Sequence, residues 1–208
     1  MNRYADLCDL LFKGTESETG TDMKRRARIL DEFLAASARA GNRKAFAQLA
    51  ERWQPKLLAH ANRLLGDREA ARDVVQEAWA DIAKGLSRLD DVRAFPAWAY
   101  RIVTRRSADM IRKRQRSRRL NAAYAAENAV QPQSEAAVES GADAAPLQAA
   151  IARLSADQRA AVALFYIEDF SIAEIAAALN TPAGTIKSRL MHARRNLRAA
   201  LEGGESHG

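Results

Sequence analysis

SIAEIAAALNTPAGTIKSRL, running from Ser171 to Leu190, reads as two short helices joined by a tight turn. Ser171 stands where a helix N-cap belongs, and Glu174 three residues later completes a capping box, each side chain satisfying a backbone N–H of the other's turn. Ile175, Leu179, Ile186 and Leu190 supply an apolar seam between the two helices, and Ala176 is small where they cross. The turn falls at Asn180, which tolerates the left-handed conformation usually given to glycine. Thr181 is placed to cap the second helix, with Pro182 at its first position, where a missing N–H costs nothing. Thr185, Lys187, Ser188, Arg189, His192, Arg194 and Arg195 then lie away from the seam or at its margins, a set suited to phosphates and base edges in a major groove. An ordinary helical hairpin with a solvated basic face has the same apolar pattern. Capping, turn and basic face together favour a DNA-binding helix-turn-helix.

Working outward, Leu147 to Leu154 and Ala156 to Ile167 read as two further helices of the same unit. Upstream, residues 120–146 are rich in Ala, Gln, Glu and Ser, contain Pro132, Gly141 and Pro146, and have no aromatic residue after Tyr124, so they cannot bury much surface and read as a linker. Before that, Phe46, Leu49, Trp53, Leu57, Ala61 and Leu64 step by three or four, one face of a helix that Pro55 should kink. Gly66 and Asp67 read as a stop and a new N-cap. A second helix follows from about Arg68 to Gly85, with Val75, Ala78, Trp79 and Ile82 inward. A third runs from about Phe95 to Arg118, with Trp98, Ile102 and Ile111 on its apolar side. No stretch alternates as a strand does, so the fold class is all-α: two small helical domains, 43–119 and 147–202, joined by a flexible acidic linker. Residues 1–22 read as a loose extension, after which Met23-Lys24-Arg25-Arg26 opens a more regular pattern and makes Met23 a candidate initiator beside Met1; 203–208 reads as a tail.

Charge is segregated along this frame. The chain has 33 Lys and Arg against 26 Asp and Glu, formally +7. Between Arg101 and Arg119 there are nine basic residues and one acid, Asp109, a net of +8 that by itself exceeds the total. The 120–146 linker has no basic residue and four acids. A fixed basic patch, rather than an average, attracts a polyanion. Phe95, Trp98 and Tyr100 precede the basic run, and aromatic rings beside cations are what stacking on unpaired bases and following a phosphate backbone require; core packing is the other use of the same rings.

The 208 residues are 48% hydrophobic and 28% charged, enough for a buried core. Cys8 is the only cysteine, and His60, His192 and His207 lie far apart, so neither an intrachain disulfide nor a zinc site is expected. No apolar run approaches the roughly 20 residues that span a bilayer, and no secretory leader pattern opens the chain; a cytoplasmic protein is expected. Nothing pairs a nucleophile with a base or builds a glycine-rich phosphate loop, so an enzyme and a cofactor are both unexpected. On the second helix, Asp73, Gln76 and Glu77 fall at i, i+3 and i+4 and share one face, which suits a basic protein partner or simple solvation.

Asp73-Val74-Val75-Gln76-Glu77-Ala78-Trp79, Phe95-Pro96-Ala97-Trp98-Ala99-Tyr100-Arg101-Ile102 with its arginine-rich continuation, and Gly184-Thr185-Ile186-Lys187-Ser188-Arg189-Leu190 resemble, in that order, the extracytoplasmic-function (ECF, group 4) branch of the sigma-70 family of RNA polymerase sigma factors. The resemblance covers about Ala45 to Leu201. Ala99 departs from it by replacing a larger aliphatic residue. It implies a non-catalytic subunit that carries core RNA polymerase to particular promoters. Asp73, Val74, Val75, Gln76, Glu77 and Trp79 would bind core polymerase through the β′ clamp helices, with β as a further contact. The loop from about Ser87 to Ala94 and the helix after it would recognise and melt the −10 element through Arg88, Arg93, Phe95, Trp98, Arg101, Arg105, Arg106, Arg112 and Arg114. Thr181, Thr185, Lys187, Ser188, Arg189, His192 and Arg194 would read the −35 element. The acidic linker would thread toward the RNA channel, and an anti-sigma factor is an expected partner. A stand-alone helix-turn-helix regulator would use only the C-terminal half. A sigma mimic that sequesters an anti-sigma factor need not keep DNA-contacting charges in both halves, as this chain does.

Overall fold

Local capping signals set the helix boundaries in the computed structural model, which describes residues 18–127, 149–151 and 153–202. The described residues contain no strand. The N-terminal half is built from α1 (Glu18–Arg39), α2 (Arg43–Leu65), α3 (Arg68–Gly85) and the long α4 (Phe95–Glu127), with two short 3-10 turns at Leu86–Arg88 and Val92–Ala94. The C-terminal half contains α5 (Ala156–Tyr166), α6 (Ile172–Leu179) and α7 (Ala183–Glu202), preceded by a helical turn at 149–151. Asn42 caps α2 by accepting from the N–H groups of Lys44 and Ala45. Gly66, at φ 66°, ends that helix in the left-handed conformation, and Asp67 starts α3 by accepting from Glu69 and Ala70. Hydrogen bonds from the Ala70 N–H and the Arg114 guanidinium hold the Asp67 carboxyl below its ordinary pKa.

Helix α2 runs unbroken through Pro55. It buries Leu49, Trp53, Leu57, Ala61 and Leu64, the stripe read from the sequence, and adds His60. Helix α4 continues to Glu127, so residues 120–127, expected to belong to the linker, are helical; residues 1–17, 128–148 and 203–208, with most of the expected extension and linker and the whole tail, lie outside the described residues.

Trp53 organises the N-terminal core: its ring meets Phe95 edge-on at 5.3 Å and Tyr100 at 5.7 Å between centroids. His60 packs against Tyr100 at 4.9 Å and its Nε2 pairs with Thr104 Oγ1 at 2.9 Å. Burial, and secondarily the nearby Arg63, lowers the His60 pKa to about 3, so the imidazole is neutral at physiological pH.

The two helical units share one continuous core, in which α6 packs on α4 and α5 on α2. Phe170, in the loop between α5 and α6, sets its ring edge-on to Tyr100 at 5.4 Å. Glu168 in the same loop accepts from Arg63 Nη1 at 2.9 Å and from the Tyr100 hydroxyl. The Tyr100 pKa is raised, first by burial and then by that carboxylate, so the phenol stays protonated. Arg159 of α5 donates to the carbonyl of Leu64, in the last turn of α2, at 2.9 Å, where a cation complements the helix dipole.

Candidate nucleic-acid and protein interfaces

On α3, period-3.6 geometry divides the expected partner-binding set. Asp73, Gln76 and Glu77 are exposed, whereas Val74 and Val75 are buried at 1% and 0%. The two valines are therefore core residues that fix the helix, a correction to their expected place on the contact surface. Trp79 is half-buried; its Nε1 donates to Gln54 Oε1 at 2.5 Å and its ring meets Phe46 edge-on. Glu77 already accepts from Arg106 Nη1 at 2.7 Å. Among the described residues no hydrogen bond or ion pair engages Asp73 or Gln76, so these two present the open part of the face.

Between α3 and α4, residues 86–94 form a braced loop. Arg39, a residue the sequence reading did not select, reaches across from α1 and donates through Nη1 to the carbonyls of Leu89 and Asp90, each at 2.9 Å. Asp91 caps the second 3-10 turn by accepting from the Arg93 N–H, and its carboxylate also pairs with the Arg93 guanidinium. Arg88 and Arg93 are exposed on this loop. Phe95, expected at the DNA surface, is 1% exposed and belongs to the core; its ring is used up on Trp53. Trp98 is half-buried and rests on Gly85, where a built Cβ would come within 2.8 Å of its Cζ2. The end of α3 is thus glycine because an indole lies on it.

The basic run on α4 is less uniformly free than its count implies. Arg106 donates to Asp81 at 2.7 and 2.9 Å as well as to Glu77, and its pKa is raised chiefly by Asp81. Arg114 donates to Asp67 at 2.8 Å, and Arg112 pairs with Asp109. Arg105 lies 3.7 Å from Asp81 but keeps 67% of its side chain exposed, and Arg101 is exposed with no partner among the described residues. Acids from α3 and its cap therefore neutralise part of the expected surplus and fix several guanidinium groups in place. The exposed remainder still forms one basic surface beside the braced loop.

In the C-terminal unit the local reading is realised with one shift. Ser171 and Glu174 form both halves of the capping box. Asn180, at φ 49° and ψ 49°, ends α6 in the left-handed conformation, and the Thr181 N–H returns to the Ala176 carbonyl at 3.0 Å. Helix α7 starts at Ala183, and the Pro182 carbonyl accepts its first bond from Ile186. Thr181 does not cap the helix: its hydroxyl donates to Leu179 and accepts from Arg189, which corrects both expected cap positions by one residue.

Ile186, Leu190 and Ala193 bury the inner side of α7. Thr185, Lys187, Ser188, Arg194 and Arg195 are exposed, and His192 is half-buried. Arg189 is tied inward, to Asp157 of α5 at 2.5 Å and to Thr181 at 3.3 Å. Arg194 donates to the Tyr166 hydroxyl at 2.5 Å. Lys187 and Arg195 have no such tether among the described residues. Met191, 59% exposed between them, was not selected from the sequence.

Fold and surface define a two-unit helical protein with a helix-turn-helix in one unit and a basic helix beside a braced loop in the other. The sequence matches the family "Sigma-70 region 2" over residues 49–117 and "Sigma-70, region 4" over 144–197. It is 32% identical over 170 residues to the ECF RNA polymerase sigma factor SigW of Bacillus subtilis, covering 77% of this chain and 91% of that one. It is 33% identical to the ECF RNA polymerase sigma factor SigM of Mycobacterium tuberculosis, covering 85% and 87%. Similar solved structures include CnrH in complex with the cytosolic domain of CnrY, at TM-score 0.61 and 29% identity, covering 84% of this chain and 98% of that one. Another is the sigma factor RpoE of Bartonella quintana in complex with the anti-sigma factor NepR, at TM-score 0.62 and 28% identity, covering 76% and 98%. The chain belongs to the ECF branch of the sigma-70 family. Among the described residues no helix is long and apolar enough to cross a membrane.

Proposed function

We propose that this chain is an alternative sigma factor that binds core RNA polymerase, brings it to a specific set of promoters and has no chemistry of its own. Its three surfaces divide the work. The α3 face, led by Asp73 and Gln76, docks on the polymerase, with the β′ clamp helices as the contact. The 86–94 loop and α4 meet the −10 element, where Arg88, Arg93, Arg101 and Arg105 supply exposed charge and Trp98 offers a partly exposed ring for an unstacked base. Helix α7 enters the major groove of the −35 element with Thr185, Lys187 and Ser188 toward base edges. Arg189, held by Asp157 and Thr181, positions the start of that helix. An anti-sigma protein is proposed as a further partner, since the similar sigma factor RpoE of Bartonella quintana is solved in complex with the anti-sigma factor NepR.

The observation that carries the reading is the coexistence, on one helical frame, of an unengaged Asp73–Gln76 face with two separate basic surfaces. A stand-alone regulator would need only the last of these. Capture of core polymerase on the immobilised full chain tests it: wild type retains core and Asp73→Arg releases it. Equal capture by both would remove α3 from the polymerase interface.

A further inference from the structure

Met191 occupies an unusual place on α7. The apolar contact of that helix is complete without it, since Ile186, Leu190 and Ala193 are buried at 0%, 2% and 0% while Met191 is 59% exposed. Its neighbours one turn either way are Lys187 and Ser188 on one side and Arg195 on the other, all exposed. A thioether is at best a weak acceptor and cannot bond a phosphate or a base amide as these neighbours can. Set among them, it gains free energy only by meeting another apolar group.

Gly184 lies seven residues earlier on the same stripe, two turns toward the helix start. A Cβ built on Gly184 meets nothing within 4 Å, and its backbone is not left-handed, so neither packing nor conformation requires glycine there. The remaining use for a missing side chain is close approach of the helix to something outside the protein. The stripe from Gly184 through Lys187 and Ser188 to Met191 is therefore the line along which α7 comes nearest its ligand. In a major groove the apolar group presented by a base edge is the thymine C5-methyl.

We infer that Met191 is a specificity-determining residue that packs on the C5-methyl of one thymine in the −35 element, with Gly184 letting the helix sit deep enough for that contact. The inference rests on the reading of α7 as the −35 reader. It gives this sigma factor a preference for an A·T pair at one position that hydrogen-bonding side chains do not explain.

Deoxyuridine replaces thymine without changing any hydrogen-bonding group, so the methyl can be tested alone. The probe is polymerase holoenzyme assembled with the full chain, bound to a promoter located by its transcript, with each −35 thymine replaced singly on either strand. Wild type is expected to lose about four-fold in affinity at one thymine, the value of one buried methyl-sized group. Met191→Ala loses the same amount on the unmodified promoter and becomes indifferent to that replacement, while Met191→Leu keeps the sensitivity. Indifference of wild type to every replacement, or equal sensitivity in Met191→Ala, overturns the inference; so does a loss in Met191→Ala of core or inhibitor binding instead of thymine dependence. Lys187→Ala separates the two levels. If it weakens promoter binding while uracil has no effect, only the Met191 inference fails; if it too has no effect, α7 is not the reader.

Discussion

Arg63 Nη1 stands 2.9 Å from Glu168 Oε1, so that a residue near the end of α2 is paired with the loop between α5 and α6. The other oxygen of the same carboxylate accepts a hydrogen bond from the Tyr100 hydroxyl, and Phe170 packs edge-on against the Tyr100 ring. This latch holds the two helical units together. Elements numbered −10 and −35 are about 25 base pairs apart, about 85 Å along straight duplex, whereas a compact chain of this size is about 40 Å across. If α4 and α7 read both elements at once, as proposed above, the two units must separate at this latch.

Glu168→Ala should therefore loosen the free chain. Only 13% of the Glu168 side chain is exposed, and removing it strands the Tyr100 hydroxyl, a loss of about 1–3 kcal/mol from the interface. Small-angle scattering should give a larger radius of gyration for Glu168→Ala than for wild type, with helix content unchanged. An identical radius would mean that the ion pair contributes nothing to closure. Because the Tyr100 pKa is raised in the folded chain, the unfolded state loses that proton first; stability is intact below pH 10 and falls as pH rises above it.

His60 gives the opposite limb. Its folded pKa of about 3 lies below the 6.5 of an exposed imidazole. Between those values the unfolded chain binds a proton the folded chain does not, so stability falls as pH drops from 6.5 toward 3. By pH 5 the loss is about 2 kcal/mol at 1.36 kcal/mol per unit. Thermal melts of wild type and His60→Leu at pH 7 and pH 5 check this: the substitution should flatten the difference between the two pH values. An unaltered difference would assign acid sensitivity to other groups.

Gly85→Ala sets two effects against each other. Alanine normally stabilises a helix residue by about 0.5–1 kcal/mol relative to glycine. Here the new Cβ falls 2.8 Å from Trp98 Cζ2, and overpacking of this kind costs about 1–3 kcal/mol. The expected result is a lower Tm for Gly85→Ala in the wild-type chain, and no such lowering when the same change is made in a Trp98→Ala background. A higher Tm for the single substitution would mean that the indole shifts freely.

On α7 the two cations at 187 and 189 should separate in experiment. Lys187→Ala removes an untethered charge and should reduce the slope of log K against log salt for promoter binding by about 0.9, leaving the melt unchanged. Arg189→Ala breaks bonds to Asp157 and Thr181 and should lower the Tm. Equal effects of both on salt slope, with equal stability, would mean that the Arg189 tether yields to DNA.

What could be read from sequence was mostly what acts within one turn. Ser171 with Glu174, Asn180, Gly66 and Asp67 lie next to the groups they satisfy, so type and spacing identified them. Arg63 and Glu168 are separated by 105 positions, and Arg39 braces carbonyls 50 and 51 positions away; no local pattern encodes such pairs. The aromatic segment was ambiguous for a different reason. Phe95 and Trp98 share one helical turn, and only the positions of Trp53 and Gly85 decide that the first is core and the second partly surface. Likewise the count of positive charge on α4 overstated what is free, because Asp67, Glu77 and Asp81 come from another element.

The division of labour is tested most directly by run-off transcription with core polymerase on a pooled promoter library, comparing wild type, Asp73→Arg and Lys187→Ala with Ser188→Ala. Wild type should start discrete transcripts. Asp73→Arg should abolish them together with core association, and the α7 pair should change which promoters fire while core association stays. Binding of duplex DNA by the free chain, with no initiation added to core polymerase, would contradict the account.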